Sequence, residues 1–243
     1  DLDGDGFVDL VLGYRFGQVS VLRGTGHGGF APGPNVTTGL AYAFVSLGDF
    51  SGDGVLDLVI RDTFSVVRLY TGDGTGAFRI HSDLNFTGGV TGLVVADLNG
   101  DHRADITLSQ YASLLVFLSD SSGFGPPIVL ASESETRVHA VRDLDGDDRP
   151  DLIFGRASEL QVYFQKEPGR FIRTTAFSFQ SYPPFTIVVA DVDGDAVDDI
   201  LAVDSGLKLR RGRGDGSFDP PSLLLPGVTS ALAGDFDGDE RPD

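Results

Sequence analysis

A nine-residue segment dense in aspartate recurs six times along the chain, and its period admits only an array of equivalent units. The copies are DLDGDGFVD at 1–9, DFSGDGVLD at 49–57, DLNGDHRAD at 97–105, DLDGDDRPD at 143–151, DVDGDAVDD at 191–199 and DFDGDERPD at 235–243. They start 48, 48, 46, 48 and 44 residues apart. A fixed period of this length marks a fold assembled by stacking supersecondary units, none of which can bury its apolar face alone. The repeats run 1–48, 49–96, 97–142, 143–190 and 191–234, with a partial sixth at 235–243, and 1–243 is read as a single domain or a segment of one.

The flanks of the loop repeat with it. A short apolar run precedes each copy from the second onward: YAFVSLG, TGLVVA, VHAVR, FTIVVA and TSALAG. Runs such as DLVLG, DLVIR, DITLS, DLIFG and DILAV follow it, and a third set, VSVLRG to LKLRRG, comes after a short turn. A further turn closes on Phe30, Phe78, Phe124, Phe171 and Phe218. These runs of five to seven residues are rich in Val, Ile, Leu, Phe and Tyr and are bounded by Gly, Asp, Ser and Pro, which is strand patterning. No segment sustains the three-and-four spacing of an amphipathic helix. Each unit thus predicts about four short antiparallel strands, and the expected fold class is an all-β propeller with about five blades covered. A β-solenoid is the competing arrangement, and most solenoid coils are shorter than this period.

Within each loop, oxygen-bearing side chains stand at positions 1, 3, 5 and 9, and position 4 is always glycine. They are Asp1, Asp3, Asp5 and Asp9; Asp49, Ser51, Asp53 and Asp57; Asp97, Asn99, Asp101 and Asp105; Asp143, Asp145, Asp147 and Asp151; Asp191, Asp193, Asp195 and Asp199; and Asp235, Asp237, Asp239 and Asp243. Carboxylates alternating along a tight loop converge and repel unless a cation lies among them. All-oxygen donors select a hard cation, and Ca²⁺ accepts an irregular shell of six or seven ligands. Magnesium demands stricter geometry, and zinc favours His and Cys. The main-chain carbonyl of position 7 is the expected further ligand, from Phe7, Val55, Arg103, Arg149, Val197 and Arg241, and a backbone ligand explains why that side chain varies. The second and third loops carry three carboxylates each and are expected to bind more weakly. Position 6 is glycine twice, then His102, Asp148, Ala196 and Glu240; these four take a left-handed conformation at some cost or use a different turn. An EF-hand places its last acid at position 12 between helices, so it does not fit.

The charge balance follows from these loops. The formal net charge is −18, from 36 acidic and 18 basic side chains. Ligand positions hold four aspartates in four loops and three in two, 22 of the 36 acids. Six bound Ca²⁺ would bring the formal charge from −18 to −6. So acidic a chain repels phosphate backbones and anionic lipid, which argues against nucleic acid and membrane insertion. There is no cysteine, which fits a secreted protein stabilised by other means. The chain opens on a charged loop without an initiator methionine and reads as a mature or excised segment.

The six loops, the DLVLG-type strands after them and turns such as GDGTGAF at 72–78 and GDGSF at 214–218 closely resemble FG-GAP/VCBS-type repeats, including those of integrin α-subunit propellers. The resemblance spans essentially the whole chain. It implies seven-bladed rings with calcium in the loop joining the first two strands of a blade. It also implies an extracellular or cell-surface platform for adhesion or ligand binding, with a protein or glycan as partner. Five intervals plus a sixth loop fall short of the roughly 330 residues of seven such units, so further repeats in a longer chain are expected. A closed five-bladed ring would set the first and last loops in competition for one place.

Other features weigh less. Asn35 and Asn85 open N-glycosylation sequons in the variable part of a repeat. Arg213, Gly214 and Asp215 spell an integrin-recognition tripeptide inside a turn where the repeat already requires glycine and aspartate. His27, His81, His102 and His139 lie at no metal or triad spacing. No GxSxG, P-loop or dinucleotide fingerprint occurs, and the chain is not expected to be an enzyme by itself. The alternative reading is a lectin-like propeller, since some fungal lectins resemble this repeat, or an accessory domain of a carbohydrate-active enzyme. The absence of tryptophan weakens it.

Overall fold

The computed structural model describes residues 1–40, 44–61, 66–85, 89–110, 113–131, 136–156, 159–178, 186–203 and 206–235. Among them there is no helix. The first sheet comprises β1 (Leu10–Gly13), β2 (Gln18–Gly24) and β3 (Phe30–Thr37) in that order. The second comprises β4 (Phe44–Gly48), β5 (Asp57–Arg61), β6 (Val66–Gly72) and β7 (Phe78–Asn85). The third comprises β8 (Val90–Ala96), β9 (Asp105–Gln110), β10 (Ser113–Phe117) and β13 (Ile128–Ala131), with the small ribbon β11 (Ser119–Asp120) and β12 (Gly123–Phe124) beside it. The fourth comprises β14 (Thr136–Arg142), β15 (Asp151–Arg156), β16 (Glu159–Glu167) and β17 (Arg170–Ser178), and the fifth β18 (Thr186–Ala190), β19 (Asp199–Val203), β20 (Gly206–Arg210) and β21 (Ser222–Pro226).

Each four-stranded sheet is antiparallel with chain-consecutive strands as neighbours, except that the β11–β12 ribbon intervenes between β10 and β13 in the third. The aspartate loop joins the first two strands in the second to fifth sheets, so the structural blade leads the sequence repeat by one strand. The ladder fixes the base of the loop. Position 9 lies opposite the residue just before position 1, in the pairs Gly48↔Asp57, Ala96↔Asp105, Arg142↔Asp151 and Ala190↔Asp199. Eight loop residues are thereby spanned by one cross-strand pair.

Contacts divide the chain into two compact units, one drawn from 1–97, 101–111 and 115–128 and the other from the remainder. In the first unit, Leu58, Ile60 and Tyr70 of the second sheet pack with Val19 and Val36 of the first, while Val59, Val67 and Leu69 pack with Ile106, Leu108 and Phe117 of the third. In the other unit, Ile153, Val162 and Phe164 meet Ile200 and Ala202. Burial on both faces explains why β5 and β19 read as unbroken apolar runs instead of alternating ones, and why Thr107 and Ser109 of β9 are buried beside Ile106 and Leu108.

One expected strand is not present. The run at 229–234 forms no strand, although its last residues lie near the fifth sheet. A strand exists through its ladder, and in the other blades this run pairs with the residues that follow the loop.

Candidate metal centres

Each of the first five loops is wound around its first aspartate. Asp1 accepts the N–H of Gly4 through Oδ1 and of Gly6 through Oδ2, both at 2.8 Å. Asp49 takes Gly52 and Gly54 at 2.6 and 2.8 Å, Asp143 takes Gly146 and Asp148 at 2.9 and 2.8 Å, and Asp191 takes Gly194 and Ala196 at 2.7 and 2.9 Å. In the third loop His102 donates to Asp97 at 2.8 Å. These bonds require the chain to double back, and position 6 does so in the left-handed region whatever its side chain: φ is 65° at His102, 62° at Asp148 and 68° at Ala196. Of the two conformations open to these residues, the structure has the left-handed one. The N–H donors from Ala196, Gly194 and Asp195 hold the Asp191 carboxyl below the usual carboxylate range.

Position 5 forms a local turn, its Oδ1 accepting the N–H of position 7 in Asp5–Phe7, Asp53–Val55, Asp101–Arg103, Asp147–Arg149 and Asp195–Val197, at 2.8 to 3.1 Å. Position 9 behaves differently. Asp57, Asp105, Asp151 and Asp199 are essentially inaccessible to solvent. One oxygen accepts an N–H near the start of the loop, from Leu2 to Asp9, Ser51 to Asp57, Leu144 to Asp151 and Val192 to Asp199. The other accepts an N–H from the end of the third strand, from Gly24 to Asp9, Gly72 to Asp57, Ser119 to Asp105, Gln165 to Asp151 and Gly212 to Asp199. Burial raises the pKa of Asp57, Asp151 and Asp199, with Asp151 pushed up to about 7.

In three loops, carboxylate oxygens from three acids lie within 4.8 Å of one another: Asp1, Asp3 and Asp5; Asp143, Asp145 and Asp151; and Asp191, Asp193 and Asp199. The Asp145 side chain is 7% exposed, yet its Oδ1 has no hydrogen-bond partner; Asp3 Oδ1 is likewise buried and unpartnered. Among the described residues, the second and third loops, with Ser51 and Asn99 at position 3, bring no three acids so close. Asp235 of the sixth loop is exposed, and Asp237, Asp239, Arg241 and Asp243 lie outside the described residues. The donor set fits a hard divalent ion. It is all oxygen and anionic, and it contains buried acceptors that nothing among the described residues satisfies.

Several participants have no obvious signature in the repeat. Basic side chains pair with position 3: Arg23 with Asp3 at 3.3 Å, Lys166 with Asp145, and Arg211 with Asp193 at 2.7 Å. The aspartates of the later turns are caps. Asp73 takes the N–H and hydroxyl of Thr75, Asp120 those of Ser122, and Asp215 those of Ser217. Arg213 meanwhile donates to Asp219. Both charged groups of the Arg213–Asp215 tripeptide are therefore engaged within their own turn. Asn35 is exposed on β3, and the side chain of Asn85 is outside the description.

Repeated antiparallel four-stranded sheets, each opened by an aspartate loop after its first strand, define an all-β propeller. The profile of the FG-GAP-like repeat matches residues 1–60, 49–108 and 143–202. The chain belongs to this repeat family. A search of curated proteins returned no match. Among solved structures, an Agrocybe aegerita lectin, in a study of its specific recognition of non-reducing terminal N-acetylglucosamine, superposes with a TM-score of 0.72 at 23% identity, covering 95% of this chain and 65% of the lectin. A Lactobacillus plantarum protein gives 0.62 at 15% identity over 88% of this chain and 67% of its own. BBS1N, solved in complex with ARL6DN, gives 0.62 at 11% identity over 92% and 67%. At these identities the likeness is one of fold. The chain spans about two thirds of the length of each of these relatives.

Proposed function

We propose that the chain is a calcium-stapled propeller module that acts outside the cell, offering a rigid surface to a protein or glycan in a structural or adhesive role. The observation that carries this reading is the buried Asp145 Oδ1, unpartnered beside the carboxylates of Asp143 and Asp151. A divalent ion would supply the missing partner and relieve the repulsion among the three acids. The loop's own N–H donors orient Asp143 and Asp151, so binding would meet a largely formed site. Extracellular calcium modules bind on the order of 10⁻⁴ to 10⁻³ M, a range filled outside cells and empty in a resting cytosol. Up to six ions are assigned, one per loop, with the end sites least constrained. The reading gives the acids no catalytic task, because most are bound to main-chain N–H groups or turn hydroxyls.

The test is thermal unfolding and equilibrium dialysis in millimolar calcium and in excess chelator. Uptake of several ions with a midpoint raised by calcium is expected, since a ligand that binds only the folded state stabilises it. Absence of uptake, with superimposable melting curves, would sink the reading.

A second reading, glycan binding, is favoured by the likeness to the Agrocybe lectin. Specific, saturable binding on a glycan array would establish it in place of adhesion through protein alone. Occupied sequons at Asn35 and Asn85 would be seen by mass spectrometry of protein from a eukaryotic secretory host.

A further inference from the structure

Among the first five loops, the three that carry aspartate at position 3 are the three whose third strand ends in a base. The residue that donates its N–H to position 9 is Gly24, Gly72, Ser119, Gln165 or Gly212 in the five blades. The residues on either side of this donor share one face of the extended chain. In the first, fourth and fifth blades that face carries Arg23, Lys166 and Arg211, and position 3 is Asp3, Asp145 and Asp193. In the second and third it carries Thr71 with Asp73 and Leu118 with Asp120, and position 3 is Ser51 and Asn99. The base and the fourth carboxylate are present or absent together.

We propose that Arg23, Lys166 and Arg211 are resident counter-ions that neutralise the position-3 aspartate when the loop holds no ion and are displaced when a divalent cation binds. This rests on the reading of the loops as cation sites. In each case the contact is made through Oδ2. In Asp3 and Asp145 it leaves Oδ1 without a partner. Each base also has a second anchorage to which it can withdraw. Arg23 donates to the carbonyl of Thr75, and Lys166 Nζ lies 5.2 Å from the Phe164 ring centroid. Arg211 edges an apolar hollow of about 420 Å³ with Val188, Leu201 and Leu209, which can receive its aliphatic stem.

Counted with the base, the ligand positions of all five loops carry the same net charge, −3. The guanidinium of Arg103 also approaches the second loop, but it donates to the main-chain carbonyl of Ser51 and leaves the three carboxylates there to the ion. On this assignment the second and third sites should bind as tightly as the others, against the expectation drawn from their acid count alone.

Lys166→Gln tests the assignment, with the Gly146 amide followed by NMR as a reporter of the fourth loop. In excess chelator the variant should melt below the wild type. In a calcium titration its fourth site should bind roughly fivefold more tightly, the scale of one partly exposed ion pair. The double variant Asp145→Asn/Lys166→Gln, which neutralises both members of the pair, should recover the wild-type melting point in chelator. A Lys166→Gln site with unchanged or weaker affinity overturns the counter-ion assignment while leaving the cation site standing. A wild-type chain that takes up no calcium overturns the cation site itself, and the competition with it.

Discussion

The carboxylate of Asp151 accepts the main-chain N–H of Gln165 at 2.8 Å, while its other oxygen accepts that of Leu144 at 2.9 Å. One side chain thereby ties the start of the fourth loop to the end of the third strand of its blade, and the same pair of bonds recurs at Asp9, Asp57 and Asp199. Position 9 is thus a latch of the fold before it is a ligand.

This separates two kinds of variant in one loop. Asp151→Asn replaces one accepting oxygen by an NH2 group that cannot accept, stranding a buried N–H at a cost of about 1–3 kcal/mol with or without calcium. Asp147→Ala removes a turn acceptor, a partly exposed ion pair with Arg149 and a longer one, at 4.0 Å, with Lys166. It should leave stability in chelator within about 1 kcal/mol of the wild type and lower calcium occupancy by one ion. Urea denaturation with and without chelator, alongside metal analysis, checks both. Equal losses for the two variants in chelator would contradict the latch.

The loops also carry apolar cargo between blades. Position 2 is buried at Leu2, Phe50, Leu98 and Leu144. Phe50 lies 5.7 Å from the Phe124 ring of the third blade and 5.6 Å from the His81 ring of its own. Phe50→Ala should therefore cost about 3–5 kcal/mol, the range for emptying a buried aromatic site. Chemical denaturation measures this; a loss below 1 kcal/mol would show that the neighbouring blade does not depend on the contact.

The repeat period, the strands and the oxygen positions of the loops were legible because side chains encode them: apolar runs at Leu58–Ile60 or Ile200–Val203, and aspartates in fixed phase. The latch was not, because its partner is a main-chain N–H supplied equally by Gly24, Ser119 and Gln165, and a backbone donor leaves no residue signature. Nor was the role of Asp215, since the turn cap it forms with Ser217 and a displayed Arg-Gly-Asp share the same letters. The counter-ions were hidden by register. Lys166 sits one residue after the latch donor and Arg23 and Arg211 one before, so a fixed-offset alignment misses what one strand face brings together. The run at 229–234 has the apolar composition of its counterparts, yet forms no strand, so composition alone does not fix the element.

Ala196 holds φ at 68°, where its Cβ crowds the backbone and glycine does not. The first two loops have Gly6 and Gly54 at this position, at 88° and 84°. Ala196→Gly should remove the strain and, after the extra entropy of the unfolded glycine, stabilise the fifth blade by about 0.5–1 kcal/mol. A small upward shift of the thermal midpoint is expected in chelator and in calcium alike. A lower midpoint would mean that the left-handed turn is not what constrains this position.

Proton linkage sets the behaviour of the calcium-stripped chain. Burial raises the carboxyls of Asp57, Asp198 and Asp199, and carries Asp151 up to about 7. In the unfolded chain the same groups ionise near the ordinary value of about 3.9. Between these limits the folded state holds protons that the unfolded state has already released, so stability falls as the pH rises from about 4 to about 7 and levels off beyond. The lowered carboxyls, such as Asp83 beside Arg68 and Asp215 beside Ser217, titrate below this window and do not oppose the trend within it. Calcium needs the ionised form, so saturating metal should flatten or reverse the slope by competing with those protons. Urea midpoints at pH 5 and pH 7.5 measure it: the stripped protein should be the more stable at pH 5. A stripped protein more stable at pH 7.5 would mean that the latch carboxylates stay ionised in the fold, held by their paired N–H donors against the effect of burial.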